Sequence, residues 1–282
     1  MGKTLFISDL DGTLLNSNAQ ITPLTAKIIN GLIDDGLIFT YATARGFESA
    51  SKIIGKINFK YPAVYNNGVF VQNSKTGDYI NKHIFDKDKI TEVIKTCEIN
   101  NFCMVVFAFI DGRTRFSWIK DKENDGLKSY LADRKGDKRM RPVNSYDKFL
   151  DGDVYDITFH GGSYEEMERI SQILNLDSHF AHFISKDTYK DLYGKSIYYL
   201  GMIRFDAGKD SGVKKVKELV RADKIVCFGD NINDIPMFNV SDEKYAVENA
   251  IGEVKAAADC VIGSNDDDGV AKWLEKYAGN YI

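Results

Sequence analysis

At 282 residues the chain is longer than one hydrophobic core usually supports, so two domains are expected. Its 44% hydrophobic and 28% charged residues are those of an ordinary soluble globular protein, and a net charge of −4 offers no basic field to a nucleic acid or an anionic membrane. In chain order, Thr4 to Ser8 is a short apolar run that ends at two aspartates and Gly12, and it reads as a buried strand entering a loop. Thr22-Pro23 supplies an N-cap with proline in the first turn, and Leu24, Ile28, Leu32 and Ile33 mark one helical face before Gly36. Leu37 to Ala42 is a second buried strand, Phe47 to Ile57 is helical, and Ala63 to Tyr65 is a third strand running into Asn66-Asn67-Gly68. This alternation indicates parallel βαβ units. From about His83 the character changes. A helix over Asp86 to Cys97 leads to Phe102 to Ile110 and Thr114 to Ile119, joined at Asp111-Gly112, a hairpin signal. Val154 to Phe159 is a strand, Ser163 to Leu174 a helix opened by a Ser163/Glu166 capping box, and Phe180 to Ile184 and Tyr198 to Phe205 are strands, an α+β segment with antiparallel pairing. After Lys209 the alternation returns, with a helix through Val213 to Val220, a strand Ile225 to Phe228, a helix near Asp234 to Phe238 and a last helix Gly269 to Tyr277. The four cysteines, Cys97, Cys103, Cys227 and Cys260, form no C-x-x-C pair and lie in apolar segments, so buried reduced thiols are expected. Asp9 and Asp11 break the first apolar run too early for a signal peptide, and no run is long enough for a membrane span, so a cytoplasmic location is expected.

Four places carry chemistry. Asp9-Leu10-Asp11-Gly12-Thr13 puts two carboxylates one residue apart at the carboxyl end of the first strand, where open α/β sheets bind ligands. Phosphoryl transfer to a carboxylate needs a nucleophile and a separate proton donor, and Asp9 and Asp11 can divide those tasks. Thr43, in Ala42-Thr43-Ala44-Arg45, can donate to a phosphate oxygen beside a helix N-terminus, although a Thr there is also a plain N-cap. Lys209, at the start of a helix, can neutralise phosphate charge, although most lysines are only surface charges. Gly229-Asp230-Asn231-Ile232-Asn233-Asp234, after a buried strand, sets carboxylates around an amide in a manner suited to a hard divalent cation.

These segments, in this order, resemble the haloacid-dehalogenase superfamily. The pair Asp9-x-Asp11-Gly12-Thr13 and Gly229-Asp230-x-x-Asn233-Asp234 resembles its Cof-type sugar-phosphatase-like branch, as do Tyr245 to Ala250 and Asn265 to Ala271. The resemblance implies an α/β fold, a Rossmann-like doubly wound parallel core over residues 1–82 and 200–282 with an inserted α+β cap over residues 83–199. It further implies a Mg²⁺-dependent phosphatase of small phosphomonoesters, with sugar phosphates as the family expectation. Asp9 is then nucleophile and metal ligand, Asp11 the general acid/base, Thr43, Lys209 and Asn233 the phosphate ligands, and Asp11, Asp230 and Asp234 share the metal site with Asp9. One departure is Asp210, which follows Lys209 and can compete for its ammonium group.

Other patterns have plainer readings. Gly194-Lys195-Ser196 imitates a nucleotide-binding loop, but Tyr189 stands where its upstream glycine belongs. His179 and His182 have the spacing of a helical metal pair within what reads as a strand, and Asp266 to Asp268 reads as a solvated acidic run capping the last helix. Two further functions fit the same residues: a phosphomutase, and a silent phospho-ligand-binding protein. The six groups Asp9, Asp11, Thr43, Lys209, Asp230 and Asp234 together argue for catalysis. The expected partner is a small phosphate ester; the sequence names neither that ester nor an oligomeric state.

Overall fold

The computed structural model describes residues 2–175, 180–190 and 194–281. It opens with β1 (Thr4–Ser8), α1 (Pro23–Asp34), β2 (Ile38–Tyr41), α2 (Phe47–Ile54), β3 (Ala63–Tyr65), β4 (Phe70–Gln72) and β5 (Tyr79–Lys82). The middle holds α3 (Lys87–Ile99), β6 (Met104–Ile110), β7 (Arg113–Ile119), α4 (Asp125–Asp133), β8 (Met140–Val143), β9 (Asp153–Gly161), α5 (Tyr164–Leu174), β10 (Phe180–Lys190) and β11 (Ser196–Arg204). Then follow α6 (Lys209–Val220), β12 (Lys224–Gly229), α7 (Ile235–Asn239), β13 (Glu243–Val247), α8 (Gly252–Ala257), β14 (Cys260–Ile262) and α9 (Gly269–Tyr277). The chain divides into two compact units, Met1–Lys82 with Ala207–Ile282, and His83–Asp206.

In the first unit a five-stranded parallel sheet runs in the order β14-β13-β12-β1-β2. β1 lies between β12 and β2, in register with β12 from Thr4↔Lys224 to Ser8↔Phe228 and with β2 from Leu5↔Ile38. Every residue of β1 is buried, as the apolar run Leu5-Phe6-Ile7 at its centre requires of a strand covered on both faces. The chain moves from β1 outward to β2, and later from β12 outward the other way, so the strand order reverses between β1 and β12. Ligands of open α/β sheets bind at such a reversal, beyond the strand ends. Beyond β2, a bridge Ala42↔Val64 brings in β3, which with β4 and β5 forms a small antiparallel sheet.

Thr22 caps α1 as expected, accepting from Thr25 N. The buried face is turned from the expected one: Thr25, Ile28, Ile29 and Ile33 face inward, while Leu24 is exposed. Both stripes obey the helical period, and packing selects the one holding more β-branched bulk. The thiols also differ from expectation: Cys97 and Cys227 are buried, Cys103 is half-buried, and Cys260, on the short edge strand β14, is exposed.

The second unit is a six-stranded sheet in the order β10-β11-β9-β6-β7-β8. Its pairings are antiparallel except β7 with β8, which run parallel because α4 carries the chain back between them. Asp111 and Gly112 take φ 51° and 72°, the pair of positive values that a two-residue turn between twisted strands favours. α3 and α5 pack Ile90, Val93, Met167 and Ile170 against Met104, Val106, Ile157 and Phe159. α4 sets Leu127 and Tyr130 on Val105, Phe116 and Trp118. At the start of α5, Ser163 Oγ accepts from Glu166 N at 3.2 Å, but Glu166 Oε2 accepts from Gly162 N at 2.9 Å, so the capping box is offset by one residue. The unit ends at Asp206 rather than Tyr199, because β11 stays in register with β10 as far as Phe180↔Arg204. His182 lies on β10 and not on a helix, and His179 lies outside the described residues. Among the described residues no helix is long and apolar enough to cross a membrane.

Candidate active site

The backbone of β1 continues its ladder one residue past the strand, with Asp9 N donating to Phe228 O at 3.0 Å. That bond fixes the Asp9 backbone at the carboxyl end of β1. The chain then turns sharply, closed by Leu15 N on Leu10 O at 2.8 Å. Gly12 makes the turn possible with φ 76°, and a Cβ there would lie 2.5 Å from Asp230 Oδ2. Glycine therefore lets the loop after β1 abut the loop after β12. Thr13 Oγ1 donates to Asp230 Oδ1 at 2.7 Å and completes the junction.

Lys209, the first residue of α6, sends its side chain into this junction. Its Nζ donates to Asp9 Oδ1 at 2.7 Å and to Asp234 Oδ1 at 2.6 Å. Lys209, Asp9 and Asp234 are 1%, 5% and 0% exposed, so the ion triad is cut off from bulk water. Asp234 Oδ2 accepts from Asp230 N at 2.9 Å and Asn231 N at 3.1 Å, which locks that carboxylate in place. Burial counts against the Lys209 ammonium, but the charges of Asp234 and Asp9 outweigh it and hold its pKa above the usual value. Burial raises the Asp9 carboxyl well above its ordinary range; Lys209 opposes the rise, and Asp234 and Asp230 add to it. Asp230 is pushed up to about 6 by burial and by the neighbouring Asp234 charge. Asp210 does not compete for Lys209; it turns to Lys214, 3.9 Å away.

Ligand oxygens of Asp9, Asp230 and Asp234 lie within 4.8 Å of one another. Three carboxylates against one ammonium leave the cluster with excess negative charge, and an all-oxygen donor set of this kind fits a hard divalent cation. Asp11, also expected as a metal ligand, is not in the cluster. Its side chain is 45% exposed and clamped by Arg45, Nε to Oδ2 and Nη2 to Oδ1, both at 2.6 Å.

Thr43 is fully buried just past β2, and its Oγ1 accepts from Arg45 N at 3.1 Å, which leaves its own hydroxyl hydrogen to donate elsewhere. Asn233 donates from Nδ2 to Asn67 Oδ1 at 3.0 Å. Asn249 Nδ2 donates to Gly12 O at 2.7 Å and its Oδ1 accepts from Asn265 N at 3.0 Å, which ties the loop after β1 to the C-terminal segment. The expected residues Asp9, Lys209, Asp230 and Asp234 thus form one contiguous cluster. Sequence reasoning missed Thr13, Arg45, Asn67 and Asn249 as parts of the site. Thr13, Arg45 and Asn249 sit inside segments already singled out, and Asn67 in the Asn66-Asn67-Gly68 run after the third strand, but no local pattern marks either carboxamide as part of the site.

Paired acidic loops at the ends of β1 and β12, with a buried lysine between them, accompany a match to the haloacid dehalogenase-like hydrolases over residues 6–274. The chain belongs to that family. The haloacid dehalogenase-like hydrolase described here is 26% identical to the 5-amino-6-(5-phospho-D-ribitylamino)uracil phosphatase YitU of Bacillus subtilis, across 97% of each chain. It is 23% identical to YwtE of the same organism, which bears the same phosphatase name, across 97% of this chain and 98% of the other. The crystal structure of TM0651 from Thermotoga maritima shares 26% identity and superposes with a TM-score of 0.77, covering 98% of this chain and 97% of that one. The α/β class with a parallel core sheet is the one this family has. The protein is an enzyme, a hydrolase with phosphatases among its relatives.

Proposed function

We propose that this hydrolase is a Mg²⁺-dependent phosphatase acting on small phosphomonoesters, phosphorylated sugars or sugar alcohols, through phosphorylation of Asp9. One observation carries the reading: the Asp9 carboxylate is buried at a strand end and aimed by the Lys209 ammonium, beside the acidic residues Asp230 and Asp234. The YitU relative is named for an ester of this kind, a 5-phospho-ribityl group. Asp9 and Asp230 would hold Mg²⁺ directly, with Asp11 held apart by Arg45 and Asp234 mainly anchoring Lys209. Bound there, Mg²⁺ supplies positive charge that offsets the repulsion between a phosphate dianion and the carboxylates.

The rest of the chemistry belongs to the chain. A carboxylate oxygen of Asp9 bonds to phosphorus as the bond from phosphorus to the ester oxygen breaks, and Asp11 gives its proton to the departing alkoxide. Asp11 then takes a proton from water as the water oxygen attacks phosphorus, and the bond to Asp9 breaks to free inorganic phosphate. Lys209, Thr43 and Asn233 hold the phosphoryl oxygens, and positioning and charge are most of what phosphoryl transfer asks of a protein. The test is release of inorganic phosphate from a panel of sugar and polyol phosphates with Mg²⁺. Chelator is expected to abolish turnover, Mg²⁺ to restore it, and Asp9→Asn to be inactive on every ester. Full turnover by Asp9→Asn, or an isomeric phosphate ester as the product in place of inorganic phosphate, would refute the reading.

A further inference from the structure

After β3 the chain takes three consecutive left-handed residues, Asn66 (φ 49°), Asn67 (φ 53°) and Gly68 (φ 102°). The turn they make joins three segments of the site. Asn66 N donates to Arg45 O and Asn67 N to Thr43 O, each at 3.0 Å, so the turn is hung from the Thr43 segment. A Cβ on Gly68 would lie 2.0 Å from Gly208 O, which means the turn packs backbone to backbone on the residue preceding Lys209. Asn67 Oδ1 accepts from Asn233 Nδ2 at 3.0 Å, which ties in the loop after β12. That bond uses the oxygen end of the Asn67 carboxamide, fixes which way the amide faces, and leaves its Nδ2 hydrogens with no partner among the described residues.

We propose that Asn67 is a further phosphate-binding residue of this enzyme, its Nδ2 donating to a phosphoryl oxygen while its Oδ1 orients Asn233. The proposal rests on the phosphatase reading above. A phosphoryl group presents three oxygens, each able to accept more than one hydrogen bond. Lys209 spends two of its three ammonium hydrogens on Asp9 and Asp234, Thr43 contributes one hydroxyl hydrogen, and Asn233 keeps one Nδ2 hydrogen after bonding Asn67. Those three hydrogens leave phosphoryl oxygens short of donors, and a second carboxamide adds donors without adding charge. Asparagine also suits the backbone, because it accepts left-handed φ better than most side chains.

Two variants separate this role from a purely structural one. Asn67→Gly suits φ 53° and deletes the carboxamide; Asn67→Asp keeps an acceptor for Asn233 and replaces the donors with an anion. The probe is inorganic phosphate, measured with Mg²⁺ present both as a competitive inhibitor and by calorimetric titration. Asn67→Gly is expected to weaken phosphate roughly 10-fold, the loss typical of one hydrogen bond to a charged group, with the KM for p-nitrophenyl phosphate rising by a similar factor. Asn67→Asp is expected to weaken it further, and both variants are expected to keep the wild-type melting temperature within about 2 °C. Unchanged phosphate affinity in Asn67→Gly, or a loss of affinity that comes only with a fall in melting temperature, overturns the proposal. If the wild-type protein neither hydrolyses p-nitrophenyl phosphate nor binds phosphate, it is the phosphatase reading that fails.

Discussion

The Arg45 guanidinium occupies both oxygens of Asp11, and a carboxyl group held that way has no oxygen free to carry a proton to a leaving group. On the proposed mechanism Asp11 must therefore part from Arg45 in each turnover. The pair is partly exposed, and ion pairs of that kind are worth only about 0–1 kcal/mol, so parting costs little. Arg45→Gln is expected to leave stability within ~1 kcal/mol of wild type, as thermal unfolding would show. Asp11→Asn separates the two half-reactions: nitrophenolate leaves unprotonated and an alkoxide does not. Rapid quench of this variant with p-nitrophenyl phosphate is expected to give a burst and a phosphorylated Asp9 peptide, while polyol phosphates react very slowly. Equal losses on both ester types would remove Asp11 as the acid. The metal side has its own signature in pH. With Asp230 at about 6 in the metal-free fold, the folded protein keeps a proton that the unfolded chain releases near 4, so this group lowers stability as pH rises through that window. Mg²⁺ binds the ionised form, so the gain in melting temperature on adding it is expected to be larger at pH 7.5 than at pH 5. An equal gain at both values would show that Asp230 does not hold the cation.

Among the elements, the acidic run before α9 has a different role from the one its position suggests. Asp268, at φ 57°, makes no side-chain cap for α9; it accepts instead from Thr22 Oγ1 at 2.5 Å and Thr25 Oγ1 at 2.7 Å at the start of α1. Asp266 accepts from Ser17 N at 2.8 Å and Oγ at 2.7 Å, while Asp267 accepts from Ser264 Oγ at 2.7 Å. Asp268→Ala is expected to cost about 1–3 kcal/mol in urea unfolding, through two lost bonds and a strained backbone, with kcat unchanged. A loss below about 0.5 kcal/mol would mean the contact is idle. Such contacts show what is legible in a sequence. β1 and β12 read clearly because Thr4–Ser8 and Ile225 to Phe228 are unbroken apolar runs, and carboxylates just past such runs stand out. α4 did not, since only Leu127 and Tyr130 of its larger side chains face inward from a polar segment. Asp9, Asp230 and Asp234 were legible from local pattern, and Lys209 from resemblance. The pairing of Asn67 with Asn233, or of Asp268 with Thr22, joins residues far apart in the chain, and no local periodicity records it.

At the scale of the molecule, the phosphatase reading gives the first unit only groups that meet what all phosphate esters share, so discrimination among leaving groups is expected of the second unit. The two ends of that unit are close, with His83 Nδ1 3.2 Å from Asp206 Oδ1. A short Gly/Ser linker in place of residues 83–206 is expected to retain slow hydrolysis of p-nitrophenyl phosphate and to erase differences among sugar phosphates. Unchanged ratios among those sugars would refute the assignment.

The register Thr4↔Lys224 has a consequence for the order of events on the ribosome. Residues 83–206 are one uninterrupted stretch and can mature as soon as they emerge. β1 meets β2 early, but its other edge stays open until β12 has been synthesised, and pairing across so long a separation is the slow kind. Asp9 and Lys209 are brought together by the same late closure. A nascent chain therefore has residues 83–206 in hand well before Asp9 meets Lys209, and the acidic cluster closes only once β12 has been made.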